Sequence, residues 1–291
     1  MLHFLNHSIA ESLNLSISYS HPTAESLNHS ISYVVLAAVQ GITEFLPISS
    51  SGHLVLVRKL FGWSDDGGLV FDTVLHAGSL AAILLYFWRT WRDIAAGYFR
   101  FNSPEHSADR RLPWLLVAAT LPVVLAAPLL KPFLESEEMV RNSVAVGLSM
   151  AATALLFQLC DLRFRPSGKP VGLRDALVIG LMQIVALLPG ASRSGWTTAG
   201  GILTGQSRET AVRFAFLMAV PAIAGAILFQ GRDILQMGQT QVEPLQMLVA
   251  FAVSFLVSLL AIHFCLVYFR RHSLRGFSIY MAIVGLLAIV L

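Results

Sequence analysis

Apolar residues run in long blocks along this chain. Six blocks cover Leu69–Trp88, Leu112–Leu130, Ser143–Cys160, Phe214–Gln230, Leu245–Phe269 and Phe277–Leu291, each close to the ~17–25 residues that a membrane-crossing helix needs; the last is short. Two further apolar regions, Val34–Phe61 and Leu173–Gly205, are interrupted midway by Pro, Gly and Ser. Each reads as a helix, a break and a second helix that dips in and returns to the same side. The pattern predicts an all-α polytopic membrane protein of six transmembrane helices plus two re-entrant helix-loop-helix hairpins.

The two interruptions match each other. Gln40, then Leu46-Pro47-Ile48-Ser49-Ser50-Ser51-Gly52, corresponds to Gln183, then Leu188-Pro189-Gly190-Ala191-Ser192-Arg193-Ser194-Gly195, with one residue of slippage. Three crossings separate them, an odd number, so the hairpins enter from opposite faces. That is an inverted-topology repeat, in which Gly/Pro-interrupted segments point to a site near the midplane. Residues 34–291 then form one membrane domain, with repeats at about 34–161 and 173–291. On this topology fourteen Lys or Arg residues lie on one face and five, Arg58, Lys59, Lys131, Arg141 and Arg232, on the other. The basic face belongs in the cytoplasm, which puts both termini outside. Arg193 alone falls at a break, inside the membrane.

Composition agrees. Hydrophobic residues make up 55% and charged residues 13% of the 291, with a mean hydropathy of +0.67, which excludes an ordinary soluble domain. Cys160 and Cys265 both lie in apolar runs and read as packing residues rather than as a disulfide or zinc ligands. Residues 1–33 are polar, lack Lys and Arg, and contain a near-duplication, "AESLNLSISYSHPT" followed by "AESLNHSISY". They read as a poorly ordered extension without the features of a signal peptide.

Irregular backbone at membrane depth is tolerated only where protein or a wet cavity satisfies it, so the breaks should face one another around a polar pocket. Ionisable residues there are expensive and functional by default: Glu44, His53 and Arg193. Gln40 and Glu44, four apart, share a helix face, where Glu44 can hold a divalent cation or move a proton; the bland alternative is a structural ion pair with Arg193. Ser49, Ser50 and Ser51 open a helix after Pro47, and Ser192 and Ser194 flank Arg193. Opposed helix N-termini with hydroxyls and one guanidinium suit a diphosphate. His53, three residues from Ser50 and four from Ser49, can lie against a hydroxyl as base, or itself accept a phosphoryl group. Thr197 and Thr198 add possible hydroxyl contacts. His76 and His263 read as structural, and Asp72 as a helix cap rather than a gate.

"QGITEFLPISSSGH" and "LLPGASRSGWTT" resemble the two signature motifs of the undecaprenyl-diphosphate phosphatase family, the bacitracin-resistance type. "FDTVLHAGSLAAILLYFWR" and "FLMAVPAIAGA" are similar to it as well, so the resemblance covers Tyr33 to Leu291. It implies hydrolysis of undecaprenyl diphosphate to the monophosphate carrier of peptidoglycan synthesis in the bacterial plasma membrane. The implied cofactor is a divalent cation, Mg²⁺ or Ca²⁺, held by Glu44 and Gln40. By the same resemblance Glu44, Ser50, His53 and Arg193 are catalytic, while the reading of the two helix ends puts Ser49, Ser51, Ser192, Ser194 and Thr197, with Gln40, near the substrate. Gln40 occupies the first acidic position of the motif and offers only a neutral oxygen. The expected partners are a polyprenyl diphosphate lipid and the bilayer, without nucleic acid, and a homodimer is compatible. Ser50 assisted by His53 is the favoured nucleophile. The rival reading is a flippase for the monophosphate lipid that uses the same anion site; transport alone gives no reason to group Glu44, Ser50 and His53.

Overall fold

The computed structural model describes residues 24–63, 68–99, 107–134, 136, 142–237 and 242–290. Among them it is all-helical: α1 (Ala24–Thr43), α2 (Ser50–Phe61), α3 (Gly68–Tyr86), α4 (Trp88–Phe99), α5 (Ser107–Leu134), α6 (Ser143–Leu162), α7 (Leu173–Val185), α8 (Arg193–Leu203), α9 (Arg208–Met237), α10 (Pro244–Tyr268) and α11 (Arg275–Val290).

Among the described residues, five segments are long and apolar enough to cross a membrane: Gly68–Tyr86, Arg111–Leu134, Ser143–Leu162, Arg208–Gly231 and Pro244–Tyr268. These are five of the six expected spans. The sixth is α11, apolar but only 16 residues long. Both interrupted regions are pairs of shorter helices, α1–α2 and α7–α8, as their Pro/Gly/Ser centres require. α5 keeps its helix through Pro113, Pro122, Pro128 and Pro132, which membrane helices tolerate because neighbours can satisfy the freed carbonyls.

Two features depart from the expected runs. Residues 1–23 lie outside the described residues, but helix α1 begins at Ala24, so the second copy of the duplicated segment is helical rather than part of a loose tail. A short helix, α4, follows the first full span directly. Its Trp91 packs against the core, while Arg89 and Arg92 lie over the Trp88 ring at 5.6 and 5.1 Å. An amphipathic helix of this kind leaves no long apolar run to read.

The helices pack through small residues, since lipid gives no hydrophobic drive for one helix to join another. α10 lies on α1 and α3. A Cβ at Gly41 would stand 2.8 Å from the Ser254 carbonyl oxygen, and Ser79 sits 3.3 and 3.0 Å from the hydroxyls of Ser254 and Ser258. The partner pairing places α5 on α7, while α6 packs on α11 and α3 on α9. Leu125, Leu129, Leu256, Leu260 and Leu286 are more than half exposed. A band like that suits hydrocarbon and would be an aggregation surface in water. Cys160 and Cys265 are buried, unbridged packing residues.

Candidate active site

Each hairpin break is built from a helix end, a proline and a serine cap. α1 stops at Thr43, whose hydroxyl bonds back to the Val39 carbonyl at 2.6 Å, and Pro47 then lacks the N–H that a continuing helix would use. α2 restarts under Ser49, whose Oγ accepts from the Gly52 N–H at 3.3 Å. Among the described residues Ser49 is the one non-glycine with positive φ, at 71°. A strained backbone in a site of this kind has to be held by its surroundings. In the second break α7 ends at Val185, Gly190 takes φ 88°, and Ser192 caps α8 by accepting from the Gly195 N–H at 3.1 Å.

The two breaks meet. Ser194 donates its hydroxyl to the Leu46 carbonyl at 2.9 Å, and a Cβ on Gly52 would lie 3.2 Å from the Gly190 Cα. Behind them stands α6: Met150 abuts Gly52, and the Val146 carbonyl fills the space that a side chain on Gly190 would need. Val146 and Met150 are the fourth and eighth residues of the 20-residue helix Ser143–Leu162, so the breaks meet against the N-terminal half of α6.

At that point a single carboxylate gathers four polar groups. Glu44 is buried and pairs through Oε1 with the Arg193 guanidinium of the opposite hairpin. Its Oε2 accepts from Gln40 Nε2 at 2.9 Å and from the Ser50 hydroxyl at 2.7 Å. His76 Nε2 stands 3.8 Å from the same oxygen. Glu44 follows the last residue of α1 but still donates its N–H to the Gln40 carbonyl at 2.9 Å, so the i, i+4 spacing keeps the two side chains on one side. Ser50 and Arg193 reach them because each opens the helix that follows its break.

Three expectations about individual side chains change. His53 does not lie against Ser50; its Nδ1 is 2.7 Å from the Ser49 carbonyl and its Nε2 2.8 Å from the Tyr280 hydroxyl. The four-residue spacing brings the imidazole to the backbone of Ser49 and leaves the Ser50 hydroxyl free for Glu44. Asp72 is not a cap: it lies inside α3 and accepts from both terminal guanidinium nitrogens of Arg58, at 2.6 and 3.2 Å. His76, expected to be structural, faces Glu44, with its Nδ1–H donated to the Asp72 carbonyl at 2.8 Å. His263 sits apart, against Tyr86 at 3.0 Å.

Several expected contact hydroxyls are already engaged. Ser49 and Ser192 are caps, Ser194 holds Leu46, and Thr197 donates to the Arg193 carbonyl at 2.8 Å. They fix the loops and the base of Arg193. Ser51 is exposed, 3.4 Å from Ser49 Oγ, and Thr198 is buried on α8. Trp196 anchors α8 to α6 by donating to Thr153 at 2.9 Å. No group of three or more His, Cys, Asp or Glu able to hold a metal occurs among the described residues. Gln40 Oε1, however, is buried without a hydrogen-bond partner beside Glu44.

The family model described as bacitracin resistance protein BacA matches residues 33–287. This chain belongs to the BacA family. Its curated relatives include undecaprenyl-diphosphatases of Rubrobacter xylanophilus, 40% identical over 265 residues that cover 89% of this chain and 97% of the relative, and of Desulforudis audaxviator, 40% identical over 261 residues, 89% and 96%. That of Chlorobium phaeovibrioides is 36% identical over 273 residues, 89% and 95%. The BacA match takes in both breaks, Glu44 and Arg193 alike, and starts after the first 32 residues.

Proposed function

We propose that the chain hydrolyses undecaprenyl diphosphate to undecaprenyl phosphate and inorganic phosphate in the plasma membrane, the activity named for its relatives. One observation carries the reading: Glu44 holds the Ser50 hydroxyl and the Arg193 guanidinium at once, so a proton acceptor, a nucleophile and an anion-binding group share one buried carboxylate.

A diphosphate entering the pocket competes for Arg193, whose planar fork matches phosphoryl oxygens. Glu44, relieved of that partner, takes the Ser50 proton onto Oε2. Ser50 Oγ then bonds to the terminal phosphorus as the bridging P–O bond breaks, and undecaprenyl phosphate leaves. Glu44 gives the Ser50 proton up to the departing undecaprenyl phosphate. It then takes a proton from water as the water oxygen bonds to phosphorus and the Ser50 Oγ–P bond breaks, and returns that proton to Ser50 Oγ with release of phosphate. Direct attack by water in place of Ser50 would use the same base. Glu44 thus replaces His53 as the base of Ser50. Arg193 and the α2 and α8 N-termini offset the charge on the transferring group.

Mg²⁺ or Ca²⁺ fits the donors present, all of them oxygens: the unpartnered Gln40 Oε1 and Glu44 would hold it, and diphosphate and water oxygens would complete a shell that such ions accept. When bound, it would supply further charge neutralisation on the phosphoryl oxygens.

The reading includes the topology. The hairpins are re-entrant, the repeats are inverted, and both termini face outward. Supporting it, the pairing of α10 on α1 is answered by that of α5 on α7, while α6–α11 and α3–α9 are pairs that exchange would map onto themselves.

The test is phosphate release from undecaprenyl diphosphate by purified protein in detergent. Wild type should release phosphate, and Glu44→Ala and Arg193→Ala should not. Unchanged release in both variants would overturn the assignment, and binding without release would favour a carrier.

A further inference from the structure

We propose that Tyr280, on the last helix, is a positioning residue for His53, so that the second repeat orients the imidazole of the first. For its kinetic consequence the proposal rests on the phosphatase reading, in which His53, no longer the base, holds the Ser49 carbonyl immediately before the nucleophile Ser50; for its geometry it does not.

A backbone carbonyl only accepts, so the 2.7 Å approach of His53 Nδ1 to the Ser49 oxygen puts the ring hydrogen on Nδ1. In the neutral ring Nε2 then carries the lone pair, and the Tyr280 hydroxyl, 2.8 Å away, donates to it. The two rings lie within 6° of parallel. Both nitrogens of a buried imidazole are thereby engaged, and a ring flip would lose both hydrogen bonds. Tyr280 is aimed by the seat of its own helix: Ser278 donates to the Ala154 carbonyl at 2.8 Å, and Gly285 packs on Gly147.

Packing alone does not account for this tyrosine. Its residue is 41% exposed, among the outward-facing Ile279 and Ile283. An amphipathic ring on such a surface ordinarily directs its hydroxyl to the interfacial water. Here the hydroxyl turns inward to a histidine that, among the described residues, makes its other hydrogen bond to a backbone carbonyl. Because a hydroxyl both donates and accepts, it can serve Nε2 with or without a proton.

Tyr280→Phe keeps the ring and removes only the hydroxyl. With undecaprenyl diphosphate, kcat should fall about tenfold, on the scale of one lost hydrogen bond, while KM stays within about twofold. In histidine-¹⁵N-labelled full-length protein, the His53 Nε2 resonance should move downfield as its donor is lost, whether or not substrate is present. An unchanged kcat, or a raised KM with kcat preserved, would overturn the positioning role, and so would an unmoved Nε2 resonance. Should wild type release no phosphate, the phosphatase reading fails by itself, and the resonance alone decides the contact.

Discussion

The Ser50 hydroxyl donates to Glu44 Oε2 across 2.7 Å, linking the first residue of α2 to the carboxylate that follows α1. The bond spans a break of only a few residues, so the proline that ends one helix also sets the distance between nucleophile and base. Glu44→Gln keeps the shape but cannot take the proton. Phosphate release should fall by about 10²–10⁴-fold, the usual contribution of a positioned base, with substrate binding retained in a lipid pull-down. A loss of less than about tenfold would assign the proton to another group.

Arg193 and Glu44 are both largely buried, with side chains 18% and 6% exposed. Removing one partner leaves an uncompensated charge in a low-dielectric interior. Arg193→Met should therefore destabilise the protein by about 3–5 kcal/mol. Glu44→Gln added to it should restore much of that stability without restoring activity. Thermal unfolding in detergent, followed by a fluorescent thiol-independent dye, checks both.

Gly190 sits at φ 88° with the Val146 carbonyl where its Cβ would be. Gly190→Ala should cost about 1–3 kcal/mol from backbone conformation alone, and more from the collision. The second break would then move off α6, with loss of activity. A Gly190→Ala protein of wild-type melting temperature and turnover would contradict the packing of this loop.

The metal reading predicts a graded response at Gln40. Gln40→Glu, which adds a carboxylate, should lower the half-saturating Mg²⁺ concentration, and Gln40→Leu should raise it. Direct calorimetric Mg²⁺ titration with a non-hydrolysable diphosphate present measures this apart from turnover. Equal affinities across the three proteins would remove Gln40 from the site.

Much of this site is legible in the sequence because it interrupts something regular. Pro47 and Pro189, with their serines, break apolar runs, and the repeat correctly foretells that Glu44 and Arg193 meet. What stays hidden lies inside uninterrupted runs. His76 and Tyr280 sit in apolar helices where local spacing gives no hint of a partner, since Glu44 and His53 approach them from other helices. His53 shows the converse error: helical spacing made Ser50 look reachable, but the nearer Ser49 carbonyl captured the ring. Asp72 resembled a cap because Arg58, its partner, lies 14 residues away in another helix. Helix α4 escaped because Arg89 and Arg92, set beside Trp88 and Trp91 at its start, and Asp93 after them leave no long apolar run.

The central claim is that the two hairpins form one catalytic unit across the repeat boundary. The most direct measurement is a double-mutant cycle on phosphate release, with Glu44→Gln, Arg193→Met and the pair in purified, folded protein. Residues that act as a unit lose activity non-additively, so the double variant should be no slower than the slower single variant. Fully multiplicative losses would mean that Glu44 and Arg193 act independently, and the shared site would be contradicted.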